Sequence, residues 1–226
     1  MLGETKRDRR SERREATRDE IVAAAWELCR PEGLAGLSLR DLAKAVGMQA
    51  PSLYSYFDSK HAIYDAMYAD GARAFVAAEA EVELSGDPLT DLKSLTRFFV
   101  RFCTEDSVRY QLLFQRPIPG FEPSPESFAL SLQSLRSIQE RFASIGLDDP
   151  AATDLFTAIG TGLADQQISN DPGGDRWIRL VDEAMEMFYE HLRRRRAPDN
   201  SSKTNSTNTR AVRRGHAVTT QEEGGQ

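Results

Sequence analysis

The chain has 226 residues, of which 40% are hydrophobic and 28% charged, and a formal net charge of −6. This length can bury a substantial hydrophobic core, and no apolar run approaches the roughly 20 residues that a membrane-spanning helix needs. The charged N-terminus lacks the apolar segment of a secretory signal, so we expect a cytoplasmic protein whose Cys29 and Cys103 are reduced core thiols.

The negative charge is concentrated in the middle of the chain. Residues 61–192 contain 22 acidic and 10 basic residues. Residues 1–60 contain 10 acidic and 11 basic residues, and residues 193–226 contain 3 acidic and 8 basic residues. Because an acidic segment repels a polyanion, we expect any contact with nucleic acid to lie in the N-terminal segment.

A charged arm, residues 1–16, opens the chain and is either disordered or an extension of the first helix. Thr17, with Glu20 three residues later, predicts a capping box at the start of that helix. Pro31 and Gly33 predict its end.

A second helix is predicted from a capping box at Ser38 to Gly47. Within residues 49–57, the stretch from Ser52 to Phe57 alternates as a half-buried strand would. However, Leu53 and Phe57 are four residues apart, which places both on one face of a helix. This spacing and the preceding glycine favour a third short helix over a strand.

The remaining chain is also helical in pattern. Helices are predicted from residue 58 or 59, over 89–103, over 108–113, from 128 to 145, over 150–169, and from Arg176 or Trp177 to Arg196. Four prolines predict a loop at 116–127, NDPGGD predicts a turn at 170–175, and polar composition predicts a disordered tail at 197–226.

Three short helices with a glycine turn between the second and third fit a helix-turn-helix. Gly47 accepts the positive φ of such a turn, and the small Ala43 lets the second helix approach the third. The third helix must present polar side chains to the major groove of DNA. Outward positions with suitable side chains are Gln49, Ser52, Ser55 and Tyr56.

The segment SLRDLAKAVGMQAPSLYSYFDSK, at 38–60, resembles the DNA-binding domain of the TetR family of transcriptional repressors, and the resemblance covers about residues 17–68. It implies an all-α fold in which a three-helix DNA-binding domain at 17–62 joins a larger bundle at 63–196. In the family, that bundle binds a small-molecule effector and forms a homodimer through its last two helices. The resemblance therefore implies a repressor that binds a palindromic operator in double-stranded DNA and is released by an effector.

The resemblance also assigns DNA contacts by position. Phosphates or base edges would be contacted by Ser38, Arg40, Gln49, Ala50, Pro51, Ser52, Tyr54, Ser55, Tyr56 and Lys60. Ala50 and Pro51 offer base edges only apolar contact, such as with a thymine methyl group. Tyr54 is either a phosphate contact or a partly buried core residue, whereas Tyr56 is favoured as a contact.

Lys60 has a physical argument of its own. It lies in the predicted first turn of its helix, where a cation opposes the helix dipole at a cost of about 0.3–1 kcal/mol. A nearby phosphate would remove that conflict; the alternative is a solvated lysine that tolerates the cost. The arm arginines, likewise, either belong to a solvated tail or contact DNA.

The last helix carries an apolar stripe wider than one packing partner needs, which predicts two packing surfaces. Gly160 and Gly162 would let a neighbouring helix approach the helix at 150–169. A symmetric four-helix interface between two protomers would bury both helices. The alternative is a bundle within one chain.

Candidate ligand-binding residues are aromatic or polar side chains of the C-terminal bundle: Phe102, Tyr110, Phe114, Phe128, Gln166 and Trp177. Aromatic residues at helical spacing can equally be plain core. The three histidines are scattered, and no nucleotide-binding or nucleophile motif is present, so we expect no metal, no cofactor and no enzymatic activity. The alternatives are an activator, a regulator without effector, and an enzyme with a cryptic site.

Overall fold

The computed structural model describes residues 4–145 and 149–196, and the regular structure within them is entirely helical. The predicted all-α fold is confirmed. The helices are α1 (Glu4–Glu32), α2 (Leu39–Ala45), α3 (Ala50–Leu53), α4 (Lys60–Ala80), α5 (Pro88–Glu105), α6 (Ser107–Phe114), α7 (Pro125–Ser144), α8 (Pro150–Asn170) and α9 (Val181–Arg196), with 3₁₀ turns at Leu34–Gly36 and Ile178–Leu180. The predicted tail at 197–226 lies outside the described residues.

The charged arm extends α1, which begins at Glu4 rather than at Thr17. The capping box at Thr17 is therefore wrong: its hydroxyl donates a hydrogen bond to the carbonyl oxygen of Arg13, at 2.9 Å. A threonine in a helix interior bonds back to the carbonyl four residues earlier in this way. Residues 4–16 of the arm are rich in arginine and glutamate, which are good helix formers, so the helix continues through them.

Other predicted helix ends are confirmed. The side chains of Ser38, Ser59 and Asp149 each accept a hydrogen bond from a backbone N–H of the first turn of α2, α4 and α8, at 3.4, 3.1 and 3.0 Å. Gly33 and Gly47 have φ values of 73° and 67°, a region that a residue with a Cβ atom rarely enters.

Two segments differ from the sequence-based boundaries. The loop predicted to 127 ends earlier, because Ser124 caps α7 and Pro125 occupies its first turn, where a missing N–H costs nothing. The last helix begins later, at Val181, because the backbone N–H groups of Trp177 and Ile178 donate to the side-chain oxygen of Gln167, at 2.8 and 3.3 Å.

Two hydrophobic cores share the helices. The first joins α1–α4 with Val108 and Leu112 of α6, and the second joins α5–α9. Cys29 lies in the first core and Cys103 in the second, and both are free thiols, as predicted. Burial raises the pKa of Cys29 to about 11 and also raises that of Cys103, so neither is a reactive thiolate at neutral pH.

Helix α6 connects the two cores. Val108 and Leu112 face the first core, whereas Tyr110 is buried in the second. A Cβ atom at Gly71 of α4 would lie 3.3 Å from Leu113, so the missing side chain allows α4 and α6 to pack closely. Within the described residues, no helix combines the length and the apolar character needed to cross a bilayer.

Leu42→Ala should lower the free energy of unfolding by about 2–5 kcal/mol, because Leu42 is fully buried and its truncation leaves a cavity. Chemical denaturation followed by circular dichroism measures this loss. The control is Leu84→Ala in the connection between α4 and α5, where the side chain is 37% exposed and the expected change is within about 0.5 kcal/mol. Equal losses in the two variants would contradict the assignment of the first core.

Candidate nucleic-acid interface

The ten predicted DNA-contact positions come from three packed elements: the start of α2, the α3 segment and the start of α4. Helix α2 leads into α3 through Gly47, and the Met48 N–H bonds to the carbonyl oxygen of Ala43, at 2.8 Å. None of the ten is buried. Arg40, Gln49, Pro51, Ser52, Tyr54 and Ser55 are exposed, and Ser38, Ala50, Tyr56 and Lys60 are partly exposed.

Helix α3 is shorter than the predicted 49–57 but keeps the predicted inward pair. It ends at Leu53, and a turn follows in which the Phe57 N–H bonds to the Leu53 carbonyl oxygen at 2.9 Å. Leu53 and Phe57 are each 2% exposed. With both side chains anchored in the first core, the short polar side chains of Ser52 and Ser55 remain on the surface.

The two tyrosines have different surroundings. Tyr54 is 55% exposed, so its alternative as a partly buried core residue is wrong. Tyr56 is half-buried and packs against the first core, with the guanidinium of Arg14 5.3 Å from its ring centre. The turn after Leu53 causes this difference, because it directs residue 56 towards α1 instead of continuing the helix.

Arg14 and Arg18 of α1 hold this turn in place. Arg14 donates to the carbonyl oxygen of Ser55 at 2.5 Å, and Arg18 donates to that of Tyr56. The Arg18 guanidinium also lies 4.1 Å from the ring centre of Phe57. A cation at the end of a helical turn satisfies carbonyls that have no partner within the helix. Sequence reasoning missed this contact, although four-residue spacing places both arginines on one face of α1.

Lys60 occupies the first position of α4, as predicted. Its ammonium lies 5.5 Å from the ring centre of Tyr64, and the Tyr64 hydroxyl donates to the Leu34 carbonyl oxygen at 2.5 Å. The side chain of Ser59 caps one N–H of this helix end. The remaining N–H groups of the first turn and the lysine together form a positive surface suited to a phosphate.

A separate cavity of about 280 Å³ lies among α4–α8. Of the six predicted ligand-binding residues, Phe114 and Phe128 line it, and Phe102, Tyr110, Gln166 and Trp177 do not. Other lining side chains, which sequence reasoning missed, include Phe75, Glu79, Phe98, Phe99, Leu132 and Leu135. The aromatic members belong to helical stripes that look the same in sequence as ordinary core.

The four residues outside the cavity have other contacts. Phe102 packs under the Arg109 guanidinium, 3.7 Å from its ring centre, and the buried Tyr110 directs its hydroxyl to α8. Gln166 is exposed and accepts a hydrogen bond from Asn170 at 2.7 Å. Trp177 lies in the turn that precedes α9.

Comparison with known proteins gives a family for the segment that contains these positions. Residues 21–67 match the family model described as bacterial regulatory proteins, tetR family. This segment belongs to the TetR family. The match covers α2, α3 and parts of α1 and α4, and therefore includes all ten predicted contact positions. Arg14 and Arg18 lie outside it.

Individual relatives agree with this family. The HTH-type transcriptional regulator Rv1816 of Mycobacterium tuberculosis (strain ATCC 25618 / H37Rv) is 29% identical over 124 residues, which are 52% of this chain and 53% of that protein. The HTH-type transcriptional repressor Rv1353c of the same strain is 26% identical over 154 residues, which are 68% and 57% of the two chains. The chain thus spans little more than half the length of the curated relatives it matches.

The similarity in fold extends beyond the matched segment. The crystal structure of the transcriptional regulator FadR from Bacillus subtilis, in complex with stearoyl-CoA, superimposes with a TM-score of 0.59 at 16% identity, covering 74% of this chain and 95% of that one. The two proteins therefore share a fold that extends past α4 into the C-terminal bundle.

Arg18→Met should lower the free energy of unfolding by about 1–3 kcal/mol, because methionine keeps the apolar stem but leaves the Tyr56 carbonyl without its charged donor. Urea denaturation measures the change. Arg13→Met is the matched control, since Arg13 is an exposed arginine five residues earlier on α1, and it should be nearly neutral. Equal stability of the Arg18 and Arg13 variants would show that the Arg18 contact does not hold the turn.

Proposed function

We propose that this TetR-family protein is a cytoplasmic transcriptional repressor that binds a palindromic operator as a homodimer and is released by a small-molecule effector. Residues 17–62 form the DNA-binding part and residues 63–196 the effector-binding and dimerisation part. The observation that carries the proposal is the interface at α2–α4. Short polar side chains and the cations Arg40 and Lys60 are exposed or partly exposed there, and the turn after α3 is anchored by the buried Leu53 and Phe57. The acidic residues concentrated at 61–192 leave this interface as the segment suited to DNA.

In this proposal, the interface divides into base-reading and phosphate-binding residues. Gln49 and Ser52 are exposed at the start of α3 and contact base edges in the major groove. The Ser55 hydroxyl already donates to the Ser52 carbonyl oxygen at 2.7 Å, so it reads a base as an acceptor. The exposed hydroxyl of Tyr54 donates to a phosphate, and Lys60 shares a second phosphate with the N-terminal N–H groups of α4.

Lys60→Ala should weaken binding to all DNA sequences alike, because a phosphate contact carries no sequence information. The slope of log K against log salt should become shallower by about one charge. Fluorescence anisotropy with operator and non-operator duplexes, across a salt titration, measures both effects.

Arg136→Ala is the control for this measurement, since it removes the same charge from an exposed position on α7. Its salt slope should equal that of the wild type. An unchanged slope in Lys60→Ala would contradict the phosphate contact, and a complete lack of DNA binding by the wild type would contradict the proposed function.

The last two helices support the proposed homodimer. Leu155 of α8 is 41% exposed and Met187 of α9 is 66% exposed, although both helices bury other apolar side chains in the second core. A two-fold axis beside α8 and α9 would cover these residues with their counterparts from a second protomer. Two DNA-binding parts would then face half-sites about one helical turn apart.

Leu155→Arg should shift the protein from dimer to monomer, because it places an unpaired charge in the proposed interface. Sedimentation velocity at several protein concentrations measures the change in oligomeric state. Leu84→Arg introduces the same charge at a leucine that is 37% exposed outside α8 and α9, and this variant should remain dimeric. A wild-type monomer, or an unaltered dimer in Leu155→Arg, would contradict the proposed interface.

The cavity among α4–α8 is proposed as the effector site. Its aromatic and aliphatic lining suits a lipophilic ligand, and the structurally similar FadR was crystallised with stearoyl-CoA. Effector binding would favour a conformation in which the two DNA-binding parts of the dimer are wrongly spaced. The effector then lowers DNA affinity without separating the protomers, and ligand-driven monomerisation would contradict this form of release.

A further inference from the structure

Among its described lining residues, the cavity contains one carboxyl group in an otherwise apolar and hydroxyl-bearing lining. Among the described residues that line it, Glu79 is the only one with a charged side chain. Phenylalanines of α4, α5, α6, α7 and α8 form much of the wall around it: Phe75, Phe98, Phe99, Phe114, Phe128 and Phe156. An isolated carboxylate among aromatic rings is costly unless a donor or a cation approaches it.

Two features of the fold increase that cost. Burial raises the pKa of the Glu79 carboxyl, although a hydrogen bond from Ser134 and the positive charge of Arg141 act in the opposite direction. Glu79 is also the penultimate residue of α4, where the negative end of the helix dipole disfavours an anion and favours a cation.

Neighbouring groups offset the cost of the buried Glu79 carboxylate only in part. The Ser134 hydroxyl donates to Oε1 of Glu79 at 2.9 Å, so Oε2 can accept from a ligand. Arg141, on the same helix as Ser134, forms no ion pair with Glu79 within the described residues, and it does not line the cavity. The cavity therefore presents a carboxylate, rather than a guanidinium, to whatever enters it.

We propose that the cavity binds a lipophilic amine, whose ammonium group is held by the Glu79 carboxylate and whose apolar part lies among the phenylalanines. A protonated nitrogen relieves the isolated carboxylate and meets the favourable end of the α4 dipole. The aromatic faces provide additional cation–π attraction. A ligand with a carboxylate head would instead place two anions together.

This inference rests on the proposed function only in naming the ligand an effector; binding itself is tested without DNA. Isothermal titration calorimetry at neutral pH would compare decylamine, decan-1-ol and decanoate on the full chain, since these probes share one alkyl length and differ in head-group charge. Decylamine should bind about tenfold or more tightly than decan-1-ol, and decanoate should bind most weakly.

Glu79→Gln is the decisive variant, because glutamine keeps the size of the side chain and removes its charge. It should lose about tenfold or more of the affinity for decylamine, while the affinity for decan-1-ol should stay within about twofold, which would also show that the cavity is intact. Since the raised pKa means that ionisation disfavours the folded state at neutral pH, the melting temperature of this variant should not fall.

Glu81→Gln is the matched control, since it removes one negative charge from an exposed position at the end of α4 and should bind decylamine as the wild type does. Equal affinities for the amine and the alcohol, or decylamine affinity unchanged by Glu79→Gln, would overturn the inference. Tightest binding of decanoate would also overturn it. If decylamine binds through Glu79 but does not change the affinity for DNA, the result would contradict release by an effector and would still support the amine site.

Discussion

The packing of α6 between the two cores is the constraint on which the rest of the fold depends. This eight-residue helix contributes Val108 and Leu112 to the first core and Tyr110 to the second. It also places Leu113 against Gly71, where α4 has no side chain to keep it away. Because protein interiors are close-packed, α6 cannot shift without repacking both cores.

This arrangement gives the proposed release mechanism a physical route. Leu113 and Phe114 of α6 line the cavity, together with the C-terminal half of α4. Helix α4 has 21 residues and is therefore about 30 Å long, with Glu79 near one end and Lys60 at the other. A ligand that displaces α6 or tilts α4 at the cavity would move the opposite end of the same helix, where the proposed phosphate contact lies.

The sequence predicts local features of the fold better than long-range ones. Caps at Ser38 and Ser59, the turn at Gly47 and the inward pair Leu53 and Phe57 follow from neighbours within four residues, and the structure confirms them. Cavity residues depend instead on how five helices meet, because Phe102 and Phe99 occupy similar stripes of α5 but only Phe99 lines the cavity. The spacing of apolar residues cannot distinguish side chains that pack in a filled core from side chains that line a cavity.

The arm at 1–16 shows why charge alone does not assign a role. The sequence allows its arginines to be a solvated tail or DNA contacts, yet Arg14 bonds to the Ser55 carbonyl and lies over Tyr56. The reason is the length of α1, since only a helix that continues through the arm brings Arg14 onto the same face as Arg18. A guanidinium has five donors, so Arg14 can hold the turn through one N–H and still direct others towards a phosphate. Stabilising the turn after Leu53 and attracting DNA are therefore compatible roles for the exposed side chain of Arg14.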